Sequence, residues 1–359
     1  MTRQQQLDAQ RERGLPTLVV LPIHYPRELL EALDILGLEL WGPPGPLPDG
    51  PSERIQTYVC SLVRNAMAFV DAGGVDGIDG LLFPTTCDAM MGLASLVPDL
   101  AGWEGRIFHL HLPRTADPEV GTRFCTAEVE RLGGELAAAF DRPLDDDRLA
   151  AAIATRRRIE AAHAELRRAR RELPLGEREL MELLRADGWQ RAEDHLAELE
   201  RALARRGEGT RREGPGVVIS GIVPEPMAVL DVLDQAGAVV VADDYASTGR
   251  RLTQLAPDVE GPPKELAGRR LATRPPCSTL GVHMRPRADH LVRLARGTGA
   301  AGVILHIVRF CEPELFDVPA LSDRMEEEGI PLLVIDTEVE RELPGPVRTR
   351  LEAFVEMLS

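Results

Sequence analysis

Short apolar runs, many of them β-branched, punctuate the chain at Thr17–Leu21, Gly80–Phe83, Arg106–Leu112, Gly216–Ile222, Ala238–Ala242, Gly302–Val308 and Ile330–Ile335. Runs this short and continuous are what strands buried on both faces of a parallel sheet look like. Between them apolar residues recur at helical spacing in Arg27–Leu38, Glu53–Ala72, Pro226–Ala236, Ala288–Arg296 and Ala320–Glu328. The resulting β-α-β rhythm comes in two blocks and predicts an α/β fold: two Rossmann-like, doubly wound parallel-sheet halves with a helical insert. The insert is Asp145–Arg212, rich in Ala, Leu, Arg and Glu and broken mainly by Pro174, Gly176 and Gly188, which predicts two or three helices. The expected division is an α/β domain over 1–144 with Cys60 and Cys87, a helical segment over 145–212, and a second α/β domain over 213–359 with Cys311. The arginine runs 156–158 and 167–168 lie among as many glutamates and read as solvated, salt-laced helix faces. On that reading charge reversal at Arg157 or Arg167 changes little, because exposed ion pairs contribute only ~0.2 to 1 kcal/mol.

Length agrees with two units, since 359 residues at ~150 per domain leave room for two cores. The formal charge of −16 argues against general nucleic-acid binding and against anionic membranes. No run approaches the ~18 to 20 apolar residues of a membrane span, and the polar start Met1–Gln6 lacks the apolar stretch of a secretory leader, so a cytoplasmic location is expected. Five cysteines, an odd number in a reducing compartment, favour metal ligation, chemistry or plain burial over disulfides.

Gly297, Gly299 and Gly302 spell G-x-G-x-x-G, but they follow a helix and precede a strand, the reverse of a dinucleotide-binding turn, and read as a helix C-cap. The sequence contains no G-x-x-x-x-G-K-[ST] loop. The cysteines are more informative, because ligands of open parallel sheets gather beyond the carboxyl ends of the strands. Cys87 follows the run from Gly80 and Cys311 the run from Gly302, one in each block, while Cys60 precedes Cys87 by a helix and a short connection. A shared metal site and unpaired burial are both open on spacing alone, and the separations fit no compact zinc pattern. Cys125 and Cys277 have no strand-end context.

Several segments resemble a known family. Tyr58-Val-Cys60-Ser-Leu-Val-Arg64, Phe83-Pro-Thr-Thr-Cys87-Asp88 and Arg309-Phe-Cys311-Glu312-Pro-Glu314 are similar to the three cysteine motifs of the 2-hydroxyacyl-CoA dehydratase and benzoyl-CoA reductase subunits. The helix start at His24-Tyr-Pro26, the Asp243-Asp244-Tyr-Ala-Ser-Thr-Gly249-Arg250 stretch and the closing Arg348-Thr-Arg350-Leu-Glu-Ala-Phe354 match further motifs in the family's order. Gly345-Pro346 and Glu312 depart from the usual pattern, which bears on substrate and subfamily.

The resemblance implies a 4Fe-4S cluster on Cys60, Cys87 and Cys311, in an activator-dependent 2-hydroxyacyl-CoA dehydratase subunit (a lyase of the 2-hydroxyglutaryl-CoA dehydratase D-component type). It implies a homologous sister subunit or a homodimer, an ATP-hydrolysing activator with its own cluster, and a CoA thioester substrate. In the family an electron from the activator reaches the thioester carbonyl, and the ketyl radical so formed expels the 2-hydroxyl group. The alternatives within the resemblance are a benzoyl-CoA reductase-type or double-cubane-type reductase subunit, or a non-catalytic electron-relay subunit. His24, Asp88 and Glu312 stand as acid/base candidates beside the cysteine motifs, against a plainer role in capping helices. Arg64 is a candidate to balance charge or meet a CoA phosphate, and His283 and His306 read as core or strand histidines.

Overall fold

A computed structural model of the chain describes residues 2–41, 53–115, 117–281, 284–339 and 342–359. His283 lies outside them. The first block runs α1 (Arg3–Glu12), β1 (Thr17–Val20), α2 (Arg27–Ala32), β2 (Leu36–Glu39), α3 (Ser61–Asp71), β3 (Gly80–Pro84), α4 (Asp88–Ala101), β4 (Arg106–Leu110) and α5 (Pro118–Phe140). Three helices follow: α6 (Asp146–Arg168), α7 (Glu177–Arg185) and α8 (Ala192–Ala204). The second block is β5 (Gly216–Gly221), α9 (Ala228–Gln235), β6 (Val239–Tyr245), α10 (Pro263–Ala272), α11 (Met284–Thr298), β7 (Gly302–Val308), α12 (Glu312–Glu327), β8 (Leu332–Thr337) and α13 (Gly345–Leu358). Among the described residues the strands form two parallel four-stranded sheets, ordered β2-β1-β3-β4 and β6-β5-β7-β8. This is the doubly wound α/β fold that the pattern predicts. The two orders are equivalent, so β3 and β7 occupy matching places beside the point where each sheet reverses direction.

Helix boundaries differ from the sequence reading in several places: α12, for one, starts at Glu312 and not at Ala320. Arg27–Leu38 is not one helix: α2 stops after Ala32, Asp34 adopts a left-handed backbone (φ 56°), and Leu36–Glu39 becomes an edge strand on β1. Leu36 and Leu38 suit either period over so short a run, and pairing with Thr17–Val20 decides for strand. The predicted Glu53–Ala72 helix begins only at Ser61, with Cys60 as its N-cap. Gly299 takes a positive φ of 64° just past α11 and Gly302 opens β7, which makes the glycine motif a helix end.

One core cluster joins the sheets, drawing on Val19 and Leu81 of the first, Val218 and Val303 of the second, and the buried faces of α3, α4, α11 and α12. The outer face of the first sheet is covered by α2, α5, the start of α6 and α10, so the second block sends α10 back onto the first. The outer face of the second sheet is covered by α9 and α13, with Met181 of α7 added. No helix among the described residues is long and apolar enough to cross a membrane.

The three helices of the insert have a small core of their own. Their arginines do not form a uniform solvated face. Arg158 and Arg168 are exposed and pair with Glu200 and Glu165, but Arg156 is buried against Asp187 and Glu31. Arg157 donates to the Val259 carbonyl, and Arg167 Nε donates to the buried Asp243 at 2.9 Å. Arg167→Glu is therefore expected to cost about 3 to 5 kcal/mol, because it sets a carboxylate against a buried one. Arg158→Glu should stay within about 1 kcal/mol. Urea unfolding of both variants checks the contrast, and equal costs would contradict it.

His306 sits at the middle of β7, fully buried, between the Tyr245 hydroxyl (2.8 Å) and Thr337 Oγ1 (2.7 Å). Burial pulls its pKa down to about 4, so the folded chain keeps it neutral. Its contribution is fully present above the unfolded-state value of about 6.5 and is lost as pH falls towards 4. At pH 5 the loss amounts to about 2 kcal/mol. Urea unfolding at pH 7 and pH 5 should show a smaller pH effect in His306→Gln by about that amount, and an unchanged difference would refute the assignment.

Candidate functional site

Three helices begin at a cysteine. Cys60 caps α3, Cys87 caps α4 directly after β3, and Cys311 caps α12 after β7. Cys87 and Cys311 thus hold matching positions in the two sheets. All three line one small cavity, together with Pro22, Ile23, Leu40, Trp41, Leu62, Val63, Thr86, Met90, Ile222 and Thr279. Apart from the thiols and the two threonines the wall is apolar, so water has few partners there. The convergence needs both blocks, and Ser61 helps hold them: its hydroxyl accepts from the Val339 amide at 3.3 Å.

All three thiols are free and none is a ready nucleophile. Burial pushes Cys60 up to about 11, and the charge of Cys87 adds to the rise. Burial also raises Cys87, with Asp88 contributing. Cys311 is raised well above the ordinary thiol range by burial, then by Glu314, Cys60 and Cys87. The three sulfurs are thus close enough to oppose one another's ionisation. First-turn amides of Leu62, Val63, Ala89, Met90 and Glu314 act the other way, without closing capping hydrogen bonds to sulfur. Such a pocket stores neutral thiols that ionise when a cation arrives, which couples metal uptake to proton release. Among the described residues no three His, Cys, Asp or Glu side chains converge on a point that would hold a single metal ion.

The remaining sequence candidates lie in different surroundings. His24 is buried in the turn after β1 with a left-handed backbone (φ 52°). Its Nδ1 is 3.4 Å from Arg274, its Nε2 has no hydrogen-bond partner among the described residues, and burial with Arg274, Arg250 and Arg27 holds its pKa well below the ordinary value. It is not part of the cavity wall. Asp88 has a 94% exposed side chain, 3.5 Å from Arg114, and Glu312 is exposed. Arg64 is half-buried on α3, and its charge eases ionisation of Cys60. Cys125 is buried among α5, α10 and the first sheet, while Cys277 lies 3.1 Å from the Thr279 hydroxyl and 3.5 Å from Arg250.

Two buried groups escaped the sequence reading. Glu39, at the end of β2, accepts from the Tyr25 hydroxyl (2.8 Å) and Trp41 Nε1 (2.7 Å), and pairs with Arg27 and Arg251. Glu314, one turn into α12, faces Arg250. Both are charged residues inside a core, and only the cysteine motif beside Glu314 offered a hint.

The chain belongs to the 2-hydroxyglutaryl-CoA dehydratase D-component family, whose sequence pattern matches residues 22–358. It is 24% identical over 358 residues to the lactoyl-CoA dehydratase subunit beta of Anaerotignum propionicum, covering 98% of this chain and 94% of the relative. It is 24% identical to the (R)-2-hydroxyglutaryl-CoA dehydratase subunit beta of Acidaminococcus fermentans, with 97% and 94% covered. A benzoyl-CoA reductase subunit of Thauera aromatica is 25% identical, with 95% and 90% covered. The chain is accordingly a subunit of the dehydratase and acyl-CoA reductase class.

Proposed function

We propose that this chain is the iron-sulfur subunit of an activator-dependent 2-hydroxyacyl-CoA dehydratase, with Cys60, Cys87 and Cys311 holding a 4Fe-4S cluster. The observation that carries the proposal is the meeting of these thiols, from three separate helix starts and both sheets, on one apolar cavity. The donor set fits the group. Thiolate is the usual ligand of iron-sulfur clusters, and thiols spread around a cavity suit several irons better than one ion. Three cysteines leave one iron without a protein thiolate. When bound, the cluster supplies single electrons to the thioester carbonyl of a CoA ester.

The chain's own residues do the rest. Ile23, Leu40, Trp41, Met90 and Ile222 exclude water from the site, and the fixed turns after β3 and β7 hold Cys87 and Cys311 in place. Thr86 and Thr279 supply hydroxyl groups at the wall. Tyr58, Met91, Phe310, Leu315 and Phe316 are large, exposed and within five residues of one of the cysteines, an apolar fringe of the kind that a protein partner covers. A sister subunit is the expected partner, since several relatives are named beta subunits. The electron source, as the family resemblance implies, is a separate ATP-hydrolysing activator; this sequence itself carries no P-loop.

A second reading, a benzoyl-CoA reductase-type subunit, has support in the comparable identity to the Thauera aromatica protein. One experiment addresses both. The anaerobically purified chain, with its sister subunit, is incubated with 2-hydroxyacyl-CoA esters and with benzoyl-CoA, using NADH alone in one series and activator, ATP and a strong reductant in the other. Dehydration only in the second series is expected. Multiple turnover on NADH alone would overturn the proposal, and reduction of benzoyl-CoA without dehydration would favour the second reading.

A further inference from the structure

The Asp243-Asp244 pair and Arg250 take no part in the cavity wall, yet the fold spends several buried charges on them. Asp243 closes the turn after β6: its Oδ1 accepts from the Gly249 amide at 2.8 Å and from the Thr248 hydroxyl. A Cβ on Gly249 would sit 2.0 Å from the Asp243 carbonyl oxygen, so only glycine fits there. The turn sends Arg250 inward, where it is fully buried. Its guanidinium reaches Asp244 at 3.2 Å, Ser220 at 3.3 Å and Glu314 at 3.2 Å. Asp244 is fixed in turn by Arg287 at 2.5 Å and His290 at 3.1 Å.

Glu314 is the end of this chain of contacts and the third residue after Cys311. It is 6% exposed; one carboxylate oxygen meets Arg250, and the other has no hydrogen-bond partner among the described residues. Cys311 is the N-cap of α12 and Glu314 its third helical residue, so the two share the first turn of one helix, where residues three apart are neighbours. A charge held in a low-dielectric interior acts far more strongly than one in water, and net charge nearby is one of the determinants of an iron-sulfur potential.

We propose that Glu314 is a positioning residue that lowers the reduction potential of the cluster, and that the Asp244–Arg250 latch holds its carboxylate beside Cys311. The proposal rests on the cysteine assignment made above. Reduction adds one negative charge to the cluster, and a fixed carboxylate disfavours that charge, which makes the reduced cluster a stronger donor. Arg250 meets one carboxylate oxygen and the other has no hydrogen-bond partner among the described residues, so a single counter-charge at one end holds the group in place.

The test is an EPR-monitored redox titration of the anaerobically purified full chain and of two variants, with iron and sulfide measured in each. Glu314→Gln should keep the wild-type metal content and titrate at a higher midpoint potential. Asp317→Asn removes another buried acid of α12, one that bonds Ser278 and stands six residues from Cys311, nearly two helical turns on, and should titrate as wild type. An unchanged midpoint in Glu314→Gln, or an equal shift in Asp317→Asn, would overturn the proposal and leave the cluster assignment standing. Wild-type chain without iron would overturn the assignment and this inference together. If Glu314→Gln loads incompletely, Glu314→Asp, which draws the charge back by one carbon, should give a smaller upward shift in its loaded fraction, and no shift there would also refute the role.

Discussion

Alanine at Cys60, Cys87 or Cys311 is expected to strip the chain of its iron and reduce turnover to background, while Cys125→Ala and Cys277→Ala keep both. Each of the three comes from a different helix start, so no neighbouring thiol can take the place of a lost one. Cys125 packs in the core of the first block and lies off the cavity. Cys277 contacts Thr279 of the cavity wall but does not itself line the cavity. Folding should survive in every case, because removing one sulfur from a core costs on the order of 1 to 2 kcal/mol. Circular dichroism together with iron and sulfide analysis of the five variants reads the outcome. Loss of iron in Cys125→Ala, or its retention in Cys87→Ala, would refute the ligand assignment.

The second large effect concerns stability. Glu39 collects two arginines, a tyrosine hydroxyl and an indole N–H in a core position where it is 1% exposed. Arg251 belongs to the second block, so this carboxylate ties the blocks together beside the cavity that Leu40 and Trp41 help to line. Among the described residues, Glu39→Ala leaves Arg251 without its carboxylate and Arg27 with Asp187 alone, at 3.6 Å. Breaking a buried pair in this way costs about 3 to 5 kcal/mol, a large share of the ~5 to 15 kcal/mol that holds a typical domain folded. Glu39→Gln keeps the shape but loses the charge and should fall between Ala and wild type. Chemical denaturation measures both, and a cost below about 1 kcal/mol for Glu39→Ala would show that the two arginines find other partners.

The strands were legible because β-branched runs such as Gly302–Val308 have no helical reading of comparable strength, and their ends placed Cys87 and Cys311 at sheet edges. Leu36–Glu39 was not legible: four residues carry too little periodicity, and its pairing with β1 is a tertiary event. The arginine runs misled for a related reason. Sequence shows charges but not the Asp243 or Asp187 that buries Arg167 or Arg156 from far along the chain. Glu314 and Arg250 are separated by 64 residues, and nothing local marks either as buried.

The most direct measurement is the metal and sulfide content of the wild-type chain purified without oxygen, combined with EPR of the reduced sample. About four iron and four sulfide per chain, with the spectrum of a reduced 4Fe-4S cluster, are the predicted result. Zinc in place of iron, or a chain that holds no metal after anaerobic reconstitution with iron and sulfide, would contradict it.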